Sequence, residues 1–378
     1  MSGLGNILVF VLIMIVLIVL HEAGHMIVAK LCGMRVERFS VFMGRPLWSF
    51  TRAETEYGVG WLPLGGYVKI TGMTRDELVR REYDPETGAV ISETPEPPEV
   101  QARAYCNATT PRKFATILAG PGANVIIALI AFAAAFWVGL PQFDGQINTV
   151  HRVDSGTPAN AAGLKVGDRI LSVNGKSTQG DDPGPVIAEL QANVKRPVDL
   201  VYERDGKRLP VTTPPLTPAS EDPSIGRLGL QFEPRRVEDL QFGFFGGIRE
   251  SVDFTGFVTK EQVKALGKLF TDNETRKQVS SVVGIGATYN EFAQDGFGQI
   301  LRFVGLISLI LAIMNLIPLL PLDGGHIVFA LFERMRRKRL NIAVYQRASV
   351  IGIALVAVLF VYALNNDIGR LTGEGFRP

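Results

Sequence analysis

ILVFVLIMIVLIVLHEAGH, residues 7–25, is the stretch from which the rest of the chain is read. Fourteen apolar residues, 7–20, run without interruption into His21-Glu22-Ala23-Gly24-His25. With its flanks the apolar stretch covers about residues 4–32. As a helix rising about 1.5 Å per residue, it exceeds the ~30 Å of hydrocarbon in a bilayer. Positions i and i+4 share a helix face, so His21 and His25 can hold one zinc ion with Glu22 beside them as general base. Ionisable side chains inside an apolar span are costly unless they serve a site. No Lys or Arg precedes Lys30, so the basic start of a signal peptide is missing and a retained span is expected.

Three further apolar blocks lie at about residues 114–140, 303–320 and 348–364. The expected fold class is an α-helical polytopic membrane protein with about four transmembrane helices. Hydrophobic residues form 47% of the 378 and charged residues 20%, which excludes a disordered chain and is too apolar for an ordinary soluble enzyme. Lys+Arg (39) nearly balance Asp+Glu (37), so no electrostatic case for nucleic acid exists. Cys32 and Cys106 make neither a disulfide framework nor a metal knuckle. Thirteen Lys and Arg near span ends fall between spans one and two or three and four, against four on the other side. That bias puts both termini and residues 141–302 outside the cytoplasm.

The membrane core is thus expected in two halves, 1–140 and 301–378, around an outer segment of soluble character. Within it, residues 147–153, 169–173, 199–204 and 208–213 read as strands and 186–192 as a short helix. Residues 155–175, SGTPANAAGLKVGDRILSVNG, resemble the PDZ domains of bacterial membrane and periplasmic proteases, and the resemblance covers about 146–234. It implies an α+β module whose groove takes an extended peptide, with a peptide C-terminus as the possible ligand. Residues 235–300 read as an amphipathic linker region. Apolar positions within 248–270 suit a helix on the outer membrane face, on the PDZ-like module, or merely connecting. Residues 71–112 are polar, acidic and Pro-rich in patches, and read as a mobile cytoplasmic loop.

Catalytic zinc takes three protein ligands and keeps one position open. Residues 315–326, NLIPLLPLDGGH, supply two candidates for the third. Pro318 and Pro321 break the helix, and irregular backbone at membrane depth is tolerated only when buried in protein or lining a wet cavity. Asp323 lies nearer the apolar span than its rival His326. Spans one and three run in the same direction if one full span separates them, so both motifs lie towards the cytoplasmic side.

Together these pieces resemble the site-2 protease family of intramembrane zinc metalloproteases, and within it the bacterial regulator-of-sigma-E protease type, with a single PDZ pattern here. The matching parts are His21 to His25, the 315–324 block, Gly120-Pro121-Gly122-Ala123-Asn124 in span two, and the PDZ-like stretch. The resemblance implies that His21, His25 and Asp323 bind Zn2+, that Glu22 activates the water, and that Asn315 holds the substrate backbone. Residues 57–70, YGVGWLPLGGYVKI, match the family's membrane-dipping β-hairpin, which implies that Gly65, Gly66, Tyr67 and Val68 offer a strand edge to an unwinding substrate. The implied substrate is a single-span membrane protein such as an anti-sigma factor, first trimmed outside and then cut within the bilayer of the bacterial plasma (inner) membrane. Two readings compete. A non-proteolytic PDZ-bearing receptor or scaffold with structural zinc needs a fourth ligand where three are visible. A metallopeptidase with a downstream Glu ligand and a soluble substrate does not use the Asn-Pro-Asp-Gly block.

Overall fold

The computed structural model describes residues 3–63, 65–73, 75–83, 90–219, 224–269, 271–277, 279–337 and 341–372. Helix α1 (Gly3–Leu31) leads to strands β1 (Val36–Ser40), β2 (Met43–Arg52), β3 (Thr55–Leu62), β4 (Tyr67–Ile70), β5 (Val79–Tyr83) and β6 (Val90–Pro95). Helices α2 (Pro98–Ala102) and α3 (Thr110–Val138) follow. Next come β7 (Phe143–Val153), α4 (Pro158–Ala161), β8 (Arg169–Val173), β9 (Lys176–Ser177), α5 (Gly184–Ala192), β10 (Asp199–Arg204) and β11 (Lys207–Thr212). Strands β12 (Thr217–Pro218), β13 (Gly226–Arg227) and β14 (Leu230–Arg236) close that region. The chain ends with α6 (Phe244–Lys268), α7 (Asn273–Lys277), α8 (Val282–Gln294), α9 (Phe297–Asn315), α10 (Asp323–Arg336) and α11 (Ile342–Thr372). Two compact units result: residues 1–139 with 241–378, and residues 140–240.

In the first unit, α1, α3, α9 and α11 are long and apolar enough to cross a membrane. The unit is that of a polytopic membrane protein. Helix α1 stops in a Schellman motif, where Met34 N–H bonds Ala29 C=O (2.9 Å) and Gly33 N–H bonds Lys30 C=O (3.0 Å). Gly33 takes the left-handed conformation the motif requires, at φ 78°. Span three begins at Phe297 and ends at Asn315, short of the expected residue 320, because Pro318 and Pro321 cannot continue a helix. Residues 316–322 are irregular, and Asp323 opens a separate helix. The fourth span is longer than 348–364, since α11 runs from Ile342 to Thr372.

Residues 57–70 do not form a hairpin. The sheet order is β2-β3-β1-β4, so β3 and β4 lie on opposite sides of β1. A tight turn with Ala53 at φ 53° pairs β3 with β2, and β3's other edge pairs in parallel with β1. No edge of β3 remains for β4, which pairs antiparallel with β1 and stands at the sheet's end. The hairpin is β2–β3, and it exposes Leu47, Trp48, Phe50 and Trp61.

Nor is 71–112 simply a loop. Strands β5 and β6 pair, residues 84–89 lie outside the described set, and 103–106 strap onto the sheet. The strap is built by Arg35 N–H to Arg103 C=O (3.1 Å), Tyr105 N–H to Thr71 C=O (2.9 Å) and Cys106 N–H to Gly72 C=O (3.0 Å). Arg103 grips Glu54 with two bonds of 2.6 Å. The expected linker 235–300 is mostly helical, and its helices join the membrane unit. Helix α6 buries Gly247, Ser251, Thr255 and Val258 as one stripe, and Phe254 meets Phe132 and Phe136 of α3 edge to face. Helix α8 buries Tyr289 between Phe10 of α1 and Phe303 of α9.

The second unit has its own sheet, ordered β11-β10-β8-β7-β14, with β9 beside β8. Its core is alternating strand residues and one face of α5: Val150, Ile170, Val173, Val186 and Leu200 are all at most 1% exposed. Asp168, buried, receives two 2.6 Å bonds from Arg204. A cavity of about 560 Å³ lies between α5 and the β13–β14 segment, lined by Ile187, Leu190, Leu228, Gly229, Leu230 and Phe232 among others. Strand β14 is at the end of the sheet, so its outer edge faces no further strand in that sheet.

Candidate metal centre

His21 and His25 stand one turn apart on α1, 7% and 6% exposed, their rings edge to face at 4.9 Å. Each ring has a second partner that sets its tautomer. His25 Nδ1–H donates to the Thr116 carbonyl of α3 at 2.8 Å, which leaves the Nε2 lone pair free for a metal. His21 Nδ1 lies 3.2 Å from the Asn124 side-chain amide. Asn124 Oδ1 is buried without a donor. Turning that amide to present Oδ1 gives His21 Nδ1–H its acceptor, satisfies the oxygen and frees Nε2.

Asp323 arrives from the other half of the chain. Gly324 and Gly325 pack on the backbone of residues 316–320, too close for side chains, so the first turn of α10 folds tightly onto the irregular loop. Asp323 Oδ2 then lies 3.2 Å from His21 Nε2 and 3.3 Å from His25 Nε2, and the two Nε2 atoms are 3.3 Å apart. Zinc bound tetrahedrally at about 2.0–2.1 Å separates its ligand atoms by about 3.3–3.4 Å, so the three donors already form one face of such a site. Oδ2 is buried and accepts no hydrogen bond from the described residues. The residues present fit zinc.

The cradle depends on α3 as well. A Cβ on Gly120 would overlap the imidazole of His25 and come within 2.8 Å of His21 Cε1. One on Gly24 would overlap the Ala119 carbonyl. In the sequence Gly120 stands only as part of the matching Gly120–Asn124 run, with no task assigned to it, and Thr116 carries no signal. A Gly-Pro-Gly run inside a span was the available signal, because it costs helix stability and so marks a close approach.

Beside the cradle, Glu22 points to β4. The Val68 amide lies beside the Glu22 carboxylate. A Cβ on Gly66 would lie 2.7 Å from Glu22 Cγ, and Gly65 has φ 101°. Tyr67 is 36% exposed and pairs in register with Ser40. Burial alone would raise the Glu37 carboxyl, but Lys69 Nζ at 2.6 Å, Thr71 Oγ1 at 2.9 Å and the Arg35 charge hold it below its ordinary value. That ionised link ties β1 to β4. Asn315 closes α9 and has no hydrogen bond to the three donors among the described residues. His326 is not in the cluster either, since its ring meets Tyr345 Oη of α11 at 2.9 Å.

A membrane-spanning helical bundle with two histidines and a carboxylate facing one point, and a glutamate alongside, defines a membrane-embedded metallopeptidase. The model of peptidase family M50 matches residues 9–359. Zinc metalloprotease Rip1 of Mycobacterium bovis is 32% identical, over 89% of this chain and 87% of that protein. The regulator of sigma-E protease RseP of Salmonella typhimurium is 29% identical, over 98% of this chain and all (100%) of that protein. A putative zinc metalloprotease of Agrobacterium fabrum is 27% identical, over 98% and 97%. The chain belongs to peptidase family M50, the site-2 protease family of zinc metalloproteases, and Zn2+ is its expected cofactor.

Proposed function

We propose that this metalloprotease cuts a peptide bond inside the transmembrane segment of a single-span membrane protein, with His21, His25 and Asp323 as its zinc ligands. The observation that carries the reading is the triangle of buried donor atoms, 3.2–3.3 Å on each side, whose carboxylate oxygen has no other partner. Bound zinc supplies Lewis acidity for water activation and carbonyl polarisation. Glu22 takes the proton of the attacking water and returns it to the leaving amine. The segment from Gly65 to Val68, which leads into β4 at the end of its sheet, pairs with the substrate after its helix unwinds, replacing backbone bonds that lipid cannot offer. Asn315 holds the substrate backbone from the end of α9.

The relative's name ties that protein to regulation of sigma-E, and supports an anti-sigma factor type of substrate here, cut second in a signalling cascade. Residues 146–234 act as a PDZ domain whose groove is the cavity between α5 and β14, taking the new C-terminus of a trimmed substrate or filtering by size. The Lys/Arg bias supports a bacterial plasma-membrane protein with termini and PDZ domain outside and the metal centre towards the cytoplasm. The test is Glu22→Gln in purified protein: zinc content stays at one per chain while cleavage falls by about 10²–10⁴-fold, the usual worth of a positioned base. Retained cleavage removes Glu22 from the mechanism.

A further inference from the structure

Arg302 is the single charged side chain of α9, five residues in from Phe297 and so about 7–8 Å down the helix axis. It sits at the end of the bundle remote from the metal centre. Its neighbour Phe254 touches α3 at Phe132 and Phe136, about 18–24 Å along that helix from Gly120. The guanidinium carbon lies 5.3 Å from the centre of the Phe254 ring. Among the described residues Arg302 has no ion-pair partner, and its Nε is sealed from solvent with no acceptor. Its terminal nitrogens are not sealed. One turn nearer the helix start, Gln299 is 7% exposed and its Oε1 has no donor.

A guanidinium taken out of water without an acceptor is unfavourable, and a ring beneath it replaces only part of the lost hydration. Nε is closed to any outside group, but the terminal nitrogens remain reachable; no described residue supplies them an acceptor, and one from outside would. At this depth in a span the abundant anion is the phosphate of the lipid headgroup, and a guanidinium fork matches two phosphate oxygens at once. Helix α6, which brings Phe254, also exposes Phe245, Val252 and Val263, an apolar surface of the kind acyl chains cover. We propose that Arg302, stacked on Phe254 and flanked by Gln299, is a binding site for the phosphate of one phospholipid, in the leaflet away from the metal centre. The site requires α9 to span the bilayer and does not depend on the roles assigned to Glu22 or Asp323. The bound lipid would fix α6 against α3 and α9 at the bundle's far end.

The full chain is purified in detergent and exposed to mixed micelles of phosphatidylglycerol or of a galactosyl diacylglycerol with the same acyl chains, and retained lipid is counted by native mass spectrometry. One phosphatidylglycerol is retained per chain and the galactolipid is not. Arg302→Gln lowers retention by about tenfold, the worth of one charge-assisted hydrogen bond, and Arg302→Lys restores part of it. Zinc content is unchanged in both. Equal retention of the two lipids, unchanged retention in Arg302→Gln, or displacement by millimolar inorganic phosphate would overturn the proposal. If Arg302→Gln is not recovered folded, Phe254→Leu decides: it keeps the charge and removes the platform, so retention falls severalfold, and full retention refutes the site.

Discussion

Gly120 contributes no functional group, yet the position of both imidazoles depends on it. Its missing Cβ leaves the space that His25 Nε2 and His21 Cε1 occupy. Gly120→Ala is a helix-favouring change that would stabilise an isolated helix by about 0.8–1.0 kcal/mol. Here it drives a methyl group into the two imidazoles, and displacing reacting groups by about 1 Å costs on the order of 10²-fold in rate. The expected variant is membrane-inserted, low in zinc by elemental analysis, and at least 10²-fold slower. Full zinc content at wild-type rate would show that the rings have room to move. The contrast with His21, Glu22 and His25 tells what was legible at this scale. Three residues on one helix turn are set by local geometry, so spacing alone places them together. Asp323 is preferred to its rival His326 by its place nearer the apolar span, and the packing of α10 on its loop brings its carboxylate beside the two imidazoles. Gly120, Thr116 and Asn124 act across a helix–helix contact, which no spacing along the chain encodes.

Strand β4 is four residues long, and one of its amides can be tested by itself. Val68 stands opposite Phe39 in the antiparallel pairing with β1, and its amide lies beside the Glu22 carboxylate. Val68→Pro removes that amide N–H, and proline is tolerated on an edge strand. Loss of a hydrogen bond to a charged group predicts a fall of about 10–100-fold in kcat/KM, with zinc retained. Val68→Ala keeps the amide and should be near wild type; a matching loss in Val68→Ala would assign the effect to the side chain instead. The β-prone character of 57–70 was readable, but its partners were not. Strand pairing is non-local, and the turn at Ala53 decides that β3 belongs with β2. Helices α6 and α8 were obscured for another reason. Each presents a mixed polar face and leans on the spans with a narrow stripe, so periodicity suggested a helix within 248–270 without its packing partner, and none over α8.

At the scale of the molecule, residues 140–240 form an insert whose two ends meet. Leu140 and Leu240 exchange backbone bonds of 3.0 and 2.8 Å. The membrane unit closes its own gap in the same manner: Phe242 N–H bonds the Phe136 carbonyl at 3.0 Å, and Gln241 Nε2 bonds the Trp137 carbonyl at 2.7 Å. Neither closure uses an atom of the other unit. Joining Gly139 to Gln241 through a short Gly-Ser linker should therefore leave the bundle, the Trp137–Phe244 stack at 5.0 Å and the metal centre intact. If the insert filters substrates, wild-type enzyme cuts a trimmed substrate faster than its full-length parent, and the excised form brings that ratio close to one by accelerating the parent. If the insert instead recruits substrate through its groove, excision slows the trimmed substrate and leaves the parent unchanged. Cleavage of both substrates by both enzymes in the same vesicles separates the two, and an unaltered ratio with unaltered rates denies the insert any part in selection.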